Sequence, residues 1–279
     1  MNKKVIMITG ANKGMGAHFA KEALKRGYYV AACSRRPETI PADLTVSENL
    51  LPVKLDLNDE EQIKSAVAAV LARFGRIDIL VNNAGYGLLG YFEESSEQQI
   101  RRQFETNVFG TMKLTKAVLP VMRNQQSGTV VSVSSTSGVK AVEGDSVYAA
   151  SKFAIEGWME GLRLELQDFG IRTMILEPGA FRTDFFKENK SFAFAEEPID
   201  AYAKKRTVMY EHFTSWDGKQ NGNPAKLAIA LMNTLEREEL PMRLLAGREA
   251  VKQVEVYYKN RYAEFEQWKP VSNSTDFDE

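Results

Sequence analysis

The sequence predicts a single α/β domain built on a doubly wound, mainly parallel sheet of about seven strands with helices on both faces. Three observations carry that expectation. Short β-branched runs alternate with amphipathic stretches of helical length, the pattern of strands joined by crossover helices. A glycine-rich turn separates the first run from the first helical stretch. At 279 residues and 44% hydrophobic content, the chain can bury the core that one such sheet requires.

In chain order, strands are expected at 5–9, 29–33, 53–55, 79–81, 129–133, 172–176 and 243–245, where branched apolar residues cluster between turn-forming residues. Helices are expected at 17–26, 59–74, 100–123, 147–169 and 224–237, each long enough to return the chain to the same end of a parallel sheet. No repeat of fixed period and no low-complexity block interrupts the pattern, so residues 1–269 read as one unit. The polar, acidic stretch 270–279 reads as a frayed tail. Open sheets of this type bind ligands beyond the carboxyl ends of their strands, so chemistry belongs at the strand-to-helix junctions.

A net charge of −1 provides no field for nucleic acid or an anionic membrane. Cys33 is the single cysteine and precludes an intrachain disulfide. His18 and His212 stand too far apart in sequence for a zinc site of familiar spacing, and two histidines leave little room for a Ser-His-Asp hydrolase. The apolar run near the start is too short for a signal peptide, and no stretch approaches 18 apolar residues. A cytoplasmic protein without a membrane span, bound metal or nucleic-acid partner is expected.

The first strand enters Thr9-Gly10-Ala11-Asn12-Lys13-Gly14-Met15-Gly16 and then a helix. Glycines allow a sharp turn and close approach to a pyrophosphate, whose charge meets the helix N-terminus. A plain glycine turn is the bland reading of the same spacing. An NAD site commonly carries an acid at the end of the second strand, where it accepts from the ribose. Here the chain reads Cys33-Ser34-Arg35-Arg36. Ser34 can donate to a 2′-phosphate, Arg35 can grip it, and Lys13 can add a second cation. NADP(H) is therefore expected over NAD(H), with ordinary surface cations as the alternative.

Tyr148 and Lys152 lie four residues apart in a helical stretch and so share a face. A free phenol has a pKa of about 10, and a nearby ammonium stabilises its anion, giving a usable acid or base for an alcohol oxygen. One such spacing is expected by chance in a chain of this composition, so the accompanying motifs decide its meaning. Those motifs are Asp56-Leu57, Asn82-Asn83-Ala84-Gly85, Asn107, Ser134-Ser135-Thr136-Ser137-Gly138 and Pro178-Gly179 with Thr183.

In order and spacing, they resemble the short-chain dehydrogenase/reductase family, a Rossmann-type fold, over about residues 4–185, with a weaker continuation to about 250. The local sequence around Pro178–Thr183 is similar to the branch that includes hydroxysteroid and retinol dehydrogenase-like members. The resemblance implies a catalytic group of Asn107, Ser135, Tyr148 and Lys152. Tyr148 would be general acid in carbonyl reduction and general base in alcohol oxidation. Ser135, 13 residues earlier, would donate to the substrate oxygen. Lys152 would hold the ribose and lower the Tyr148 pKa, and Asn107 would anchor a water leading to solvent. For the cofactor, the resemblance implies Gly10, Asn12, Lys13, Gly14, Met15, Gly16, Ser34, Arg35, Asp56, Leu57, Asn83, Ala84, Gly85, Pro178, Gly179, Phe181 and Thr183, besides Tyr148 and Lys152. Asp56 would meet the adenine, with a helix N-terminal charge as its alternative. Asn82 and Asn83 would also fix a turn.

The resemblance makes 181–222 the substrate lid. Nine aromatics fall between Phe181 and Trp216, a density well above the 10% of the whole chain, which suits an apolar or aromatic ketone. Packing of the lid, or contact with another subunit, explains the same density equally well. The implied activity is NADPH-dependent reduction of ketones or aldehydes, reversible as secondary-alcohol oxidation, in a homodimer or homotetramer. A non-catalytic NADP(H)-binding sensor and a nucleotide-sugar epimerase or dehydratase are the competing readings.

Overall fold

The computed structural model describes residues 3–187 and 191–277. The chain opens with β1 (Val5–Thr9), α1 (Gly14–Lys25), β2 (Tyr29–Ser34), α2 (Ala42–Thr45), β3 (Leu50–Lys54), α3 (Glu60–Phe74), β4 (Ile79–Asn82) and β5 (Gly87–Leu89). Next come α4 (Glu97–Phe104), a π-helical turn (Glu105–Phe109), α5 (Gly110–Gln125), β6 (Gly128–Val133), α6 (Ser146–Leu166) and β7 (Ile171–Pro178). It closes with β8 (Phe192–Phe194), α7 (Ala203–Ser215), α8 (Pro224–Leu235), β9 (Arg243–Ala246) and α9 (Arg248–Asn273).

Seven strands form one parallel sheet in the order β3-β2-β1-β4-β6-β7-β9. Every residue of β1 and β4 is buried, as expected where helices cover both faces. On one face Phe19 of α1 and Leu227 and Leu231 of α8 pack on Ile6 and Ile8. On the other, Val70 of α3, Leu114 of α5 and Ile155 of α6 pack on Met7 and Leu80. The sequence expectation of a seven-stranded, single-domain parallel sheet is met, with most strand positions correct to a residue or two.

The exceptions have physical reasons. β3 begins at Leu50, earlier than expected, because Pro52 falls within it. A proline lacks a ladder donor, and β3 is an edge strand where none is needed on the outer side. Two short strands not expected from sequence, β5 and β8, pair in parallel with Gly87 opposite Phe192. α9 packs through Ala250 and Val254 and then leaves Tyr262, Phe265 and Trp268 exposed. It continues through Pro270 to Asn273, where the sequence suggested fraying. Among the described residues, no helix is long and apolar enough to cross a membrane.

The segment after β8 is tied to the body by a buried charge. Glu94 is fully buried and accepts from Arg206 Nη1 and from the Ile199 backbone N–H, the latter at 2.9 Å. Tyr202 stacks on Tyr91 at 4.5 Å between ring centroids and donates to Glu93. Removing one partner of a buried pair leaves an uncompensated charge, at a cost of about 3–5 kcal/mol. Arg206→Ala is therefore expected to lower the urea midpoint clearly and to open 191–216 to limited proteolysis.

Candidate active site

β1 delivers Thr9 to the carboxyl edge of the sheet where the strand order reverses, between β1 and β4. That crevice is the expected ligand position. Gly10 and Gly14 have φ of +64° and +54°, a region that favours glycine. Thr9 Oγ1 accepts from the backbone N–H groups of Asn83 and Ala84, each at 2.9 Å, and Asn83 Nδ2 donates to Thr9 O at 2.8 Å. Asn83 and Ala84 thus brace the loop from the next strand. Gly16 must lack a side chain, since a Cβ there would lie 2.3 Å from Gly10 O. No side chain caps the start of α1, so the N–H groups of Gly14, Met15 and Gly16 are donors of the kind that a pyrophosphate accepts from.

The end of β2 is tied to this loop. Asn12 Nδ2 donates to Thr39 Oγ1 at 2.9 Å, and Thr39 Oγ1 donates to Arg36 O at 2.6 Å. Ser34 is buried and accepts from the Arg36 N–H at 3.2 Å, while Arg35 is exposed beside it. The Lys13 ammonium donates to Ser191 Oγ at 2.8 Å, toward the segment after β7. Asp56 Oδ1 accepts from the Asn58 N–H at 3.0 Å. The cap of α3 is Asp59, three residues further on, so Asp56 does not cap that helix. Leu57 is buried, and Gly110 packs so closely that a Cβ there would lie 2.7 Å from Leu57 Cβ.

Pro178 ends β7, and Gly179 N–H donates to Ala246 O at 2.9 Å, which fixes the reversal against β9. Thr183 lies across from the glycine loop, 3.6 Å from where a Gly14 Cβ would stand. The Phe181 side chain belongs to the core with α8, and a Cβ on Gly222 would lie 2.7 Å from its ring, which leaves only the backbone of this residue to face the crevice.

The four catalytic candidates converge from two elements and one loop. Tyr148 and Lys152 share a face of α6, with the Lys152 ammonium 5.7 Å from the Tyr148 ring centroid. Lys152 is buried and donates to Val133 O, at the end of β6, at 2.9 Å. Ser135 follows β6, accepts from the Ser137 N–H at 3.1 Å, and its hydroxyl lies near enough to the Tyr148 phenol to favour the phenolate. Asn107 sits in the π-helical turn, an irregularity common at functional sites. Its Oδ1 accepts from the Tyr86 N–H at 3.1 Å and its Nδ2 donates to Tyr86 O at 2.9 Å. Its side chain therefore clamps the turn after β4, and Nδ2 also approaches Ser151 Oγ of α6 at 3.4 Å.

Burial sets the electrostatics. It pushes the Tyr148 phenol up to about 12, against the opposing hydrogen bond from Ser135. The expected lowering by Lys152 is not seen, because the ammonium faces the Val133 carbonyl and the ring, and desolvation dominates. Lys152 is pushed down to about 8 by burial, with the Glu156 carboxylate opposing. At neutral pH the site thus holds a protonated phenol and an ammonium, the forms needed to give a proton away.

Several supporting residues escaped the sequence reading. Asp145 is buried, accepts from Ser137 Oγ at 2.8 Å and from the Val142 N–H at 2.9 Å, and so fixes the segment that holds Ser135. Gln103 Nε2 donates to Tyr86 O at 3.0 Å, beside Asn107. Ser151 Oγ donates to Tyr148 O at 2.7 Å. Of the nine aromatics, Phe185 alone is seen against a catalytic ring, 6.2 Å from Tyr148 between centroids. Phe192, Phe194 and Tyr210 pack on one another, and the Phe186 side chain lies outside the described set.

The family model for short chain dehydrogenases matches residues 4–193, more than half of the chain. The chain belongs to the short-chain dehydrogenase family. It is an oxidoreductase with the family's Rossmann-type fold. A short-chain dehydrogenase structure from Streptomyces avermitilis is 41% identical, covers 99% of this chain and 100% of its own, and superposes with a TM-score of 0.90. Oxidoreductase BOA17 of Botryotinia fuckeliana is 34% identical over 96% of this chain and 98% of its own length. A 3-ketodihydrosphingosine reductase of Bacteroides thetaiotaomicron is 32% identical over 88% of this chain and 89% of its own.

Proposed function

We propose that this short-chain dehydrogenase is an NADPH-dependent reductase of apolar ketones or aldehydes, reversible as a secondary-alcohol dehydrogenase. The observation that carries the reading is the approach of the Ser135 hydroxyl to the Tyr148 phenol, with the Lys152 ammonium 5.7 Å from the phenol ring centroid. The bound nicotinamide supplies the hydride. Tyr148 supplies the proton to the carbonyl oxygen, and Ser135 donates a hydrogen bond to that oxygen as negative charge develops. Lys152 uses one N–H on Val133 O, and its other donors suit ribose hydroxyls. Asn107 holds the turn at Tyr86 and, through Ser151, the catalytic helix.

Cofactor choice falls to Ser34 and Arg35 at the end of β2, where no acid stands to repel a 2′-phosphate. Residues 181–222 form the substrate lid, with Phe185 as the apolar side chain facing Tyr148. The likeness to a reductase whose named substrate is a ketone is consistent with carbonyl chemistry. The test is NADPH and NADH oxidation against a panel of ketones and aldehydes. Efficiency with NADPH is expected to exceed that with NADH, and Arg35→Ala is expected to reduce the ratio by at least about tenfold, the loss of one charge-assisted contact. Equal or better efficiency with NADH overturns the cofactor assignment. Tight NADPH binding with no turnover across the panel would point to a sensor on the same fold.

A further inference from the structure

One helical turn beyond Lys152 lies a cluster that the proposed chemistry does not use. Glu156 follows Lys152 by one helical turn on α6, so the two share a face. Both are buried. Glu177, the residue before Pro178 in β7, is 3% exposed. Arg243, which opens β9, places Nε 2.9 Å from Glu156 Oε2 and 3.3 Å from Glu177 Oε1, while its Nη2 donates to Glu160 Oε1 at 2.8 Å. One guanidinium therefore serves three carboxylates, of which only Glu160 is well solvated.

Buried acceptors are left without an aligned donor: Glu156 Oε1 and, apart from the 3.3 Å approach of Arg243 Nε, Glu177 Oε1. A carboxylate left bare in such a place costs several kcal/mol, whereas one proton shared across the pair satisfies two acceptors at once. The groups facing the pair are Lys152 and Glu160 from α6, Ser134 from the segment after β6, Arg243 from β9 and Tyr258 from α9.

We propose that Glu156 and Glu177, both held by Arg243, share one proton and act as positioning residues that keep Lys152 in its ammonium form. The proposal rests on the catalytic reading of Lys152 given above. Burial and the neighbouring Glu156 charge raise Glu177 to about 7, Glu156 is raised by burial, and Glu156 in turn opposes the fall of Lys152 to about 8. The signs are consistent: as pH rises and the shared proton leaves, the pair gains a second negative charge beside Lys152. The added charge favours the ammonium.

The test compares Glu156→Gln, Glu177→Gln and, as a solvent-side control on the same arginine, Glu160→Gln. In NADPH-dependent reduction, the alkaline limb of kcat is expected to move to lower pH by about half a unit or more in Glu156→Gln, since the anion supporting the ammonium is gone. Glu160→Gln is expected to leave it in place. Carboxyl-13C glutamate and ε-13C lysine NMR on the whole protein without substrate read the same groups without turnover. Wild type is expected to show a glutamate titrating near neutrality, absent in Glu177→Gln, and a Lys152 titration lowered in Glu156→Gln. An unmoved Lys152 titration, or two glutamates both ionised well below neutral pH, overturns the proposal. A protein that lacks reductase activity but shows these spectra would refute the catalytic reading and leave the proton-sharing pair standing.

Discussion

Tyr148→Phe is expected to cut carbonyl reduction by about 10²–10⁴-fold, the usual contribution of a positioned general acid, while NADPH affinity changes little. Phenylalanine keeps the ring that packs toward Phe185 and lies beside Lys152, so the lesion is confined to one hydroxyl. That hydroxyl is the proposed proton donor, with the Ser135 hydroxyl beside it. With the phenol held up to about 12 by burial, the wild-type donor stays protonated across the neutral range, so supply of the acid does not limit reduction there. Alcohol oxidation needs the same group as a base and is therefore expected to speed up as pH rises. Steady-state rates together with NADPH fluorescence titration check both halves of the expectation. Retention of most turnover removes Tyr148 from the mechanism; loss of NADPH binding instead points to a packing role for its hydroxyl. Ser135→Ala removes a donor to the developing charge and belongs about 10²–10³-fold below wild type.

The legible parts of this protein are those where local sequence and fold make the same demand. The strands of the central sheet are buried on both faces, so their apolar runs announce them, and Gly10, Gly14 and Gly16 mark a turn that few other residues could make. The spacing of Tyr148 and Lys152 became informative through its company. What was not legible depends on pairings made only in three dimensions. β5 and β8 are three residues each and about a hundred residues apart in sequence. Each alone has too short a pattern to signal a strand. Glu156, Glu177 and Arg243 come from a helix and two strands, and no spacing rule joins them. Lys13 is a cation at the expected place in the loop, yet its long side chain reaches Ser191, a direction that sequence does not specify. Phe181 shows the same limit: the glycines at 222 and 247 leave room for its ring, a core placement that the sequence of the segment does not announce.

Gly16→Ala is expected to weaken NADPH binding at least tenfold and to lower stability, although it adds only one methyl group. That methyl would lie 2.3 Å from Gly10 O and 2.6 Å from Asn83 Nδ2. Neither neighbour is the loose end of a flexible chain. Gly10 O belongs to the backbone of the loop, and Asn83 is held by donation to Thr9 O and by its own N–H to Thr9 Oγ1. Relief requires the loop to move away from α1 or Asn83 to give up a bond that braces the loop. Overpacking of this kind costs about 1–3 kcal/mol, and the displaced groups are those proposed to meet the pyrophosphate. Gly157 and Gly161 provide the contrast within α6. They are exposed, and a Cβ at either meets nothing within 4 Å. Alanine at these positions is expected to stabilise the protein by about 0.5–1 kcal/mol, since glycine is a poor helix former, with NADPH affinity unchanged. Thermal unfolding and NADPH titration of the three variants separate a general intolerance of alanine from the specific steric demand at Gly16. An unchanged NADPH affinity in Gly16→Ala would mean that the loop can shift without disturbing the dinucleotide, and the close approach of α1 to the glycine turn would then be a matter of packing alone.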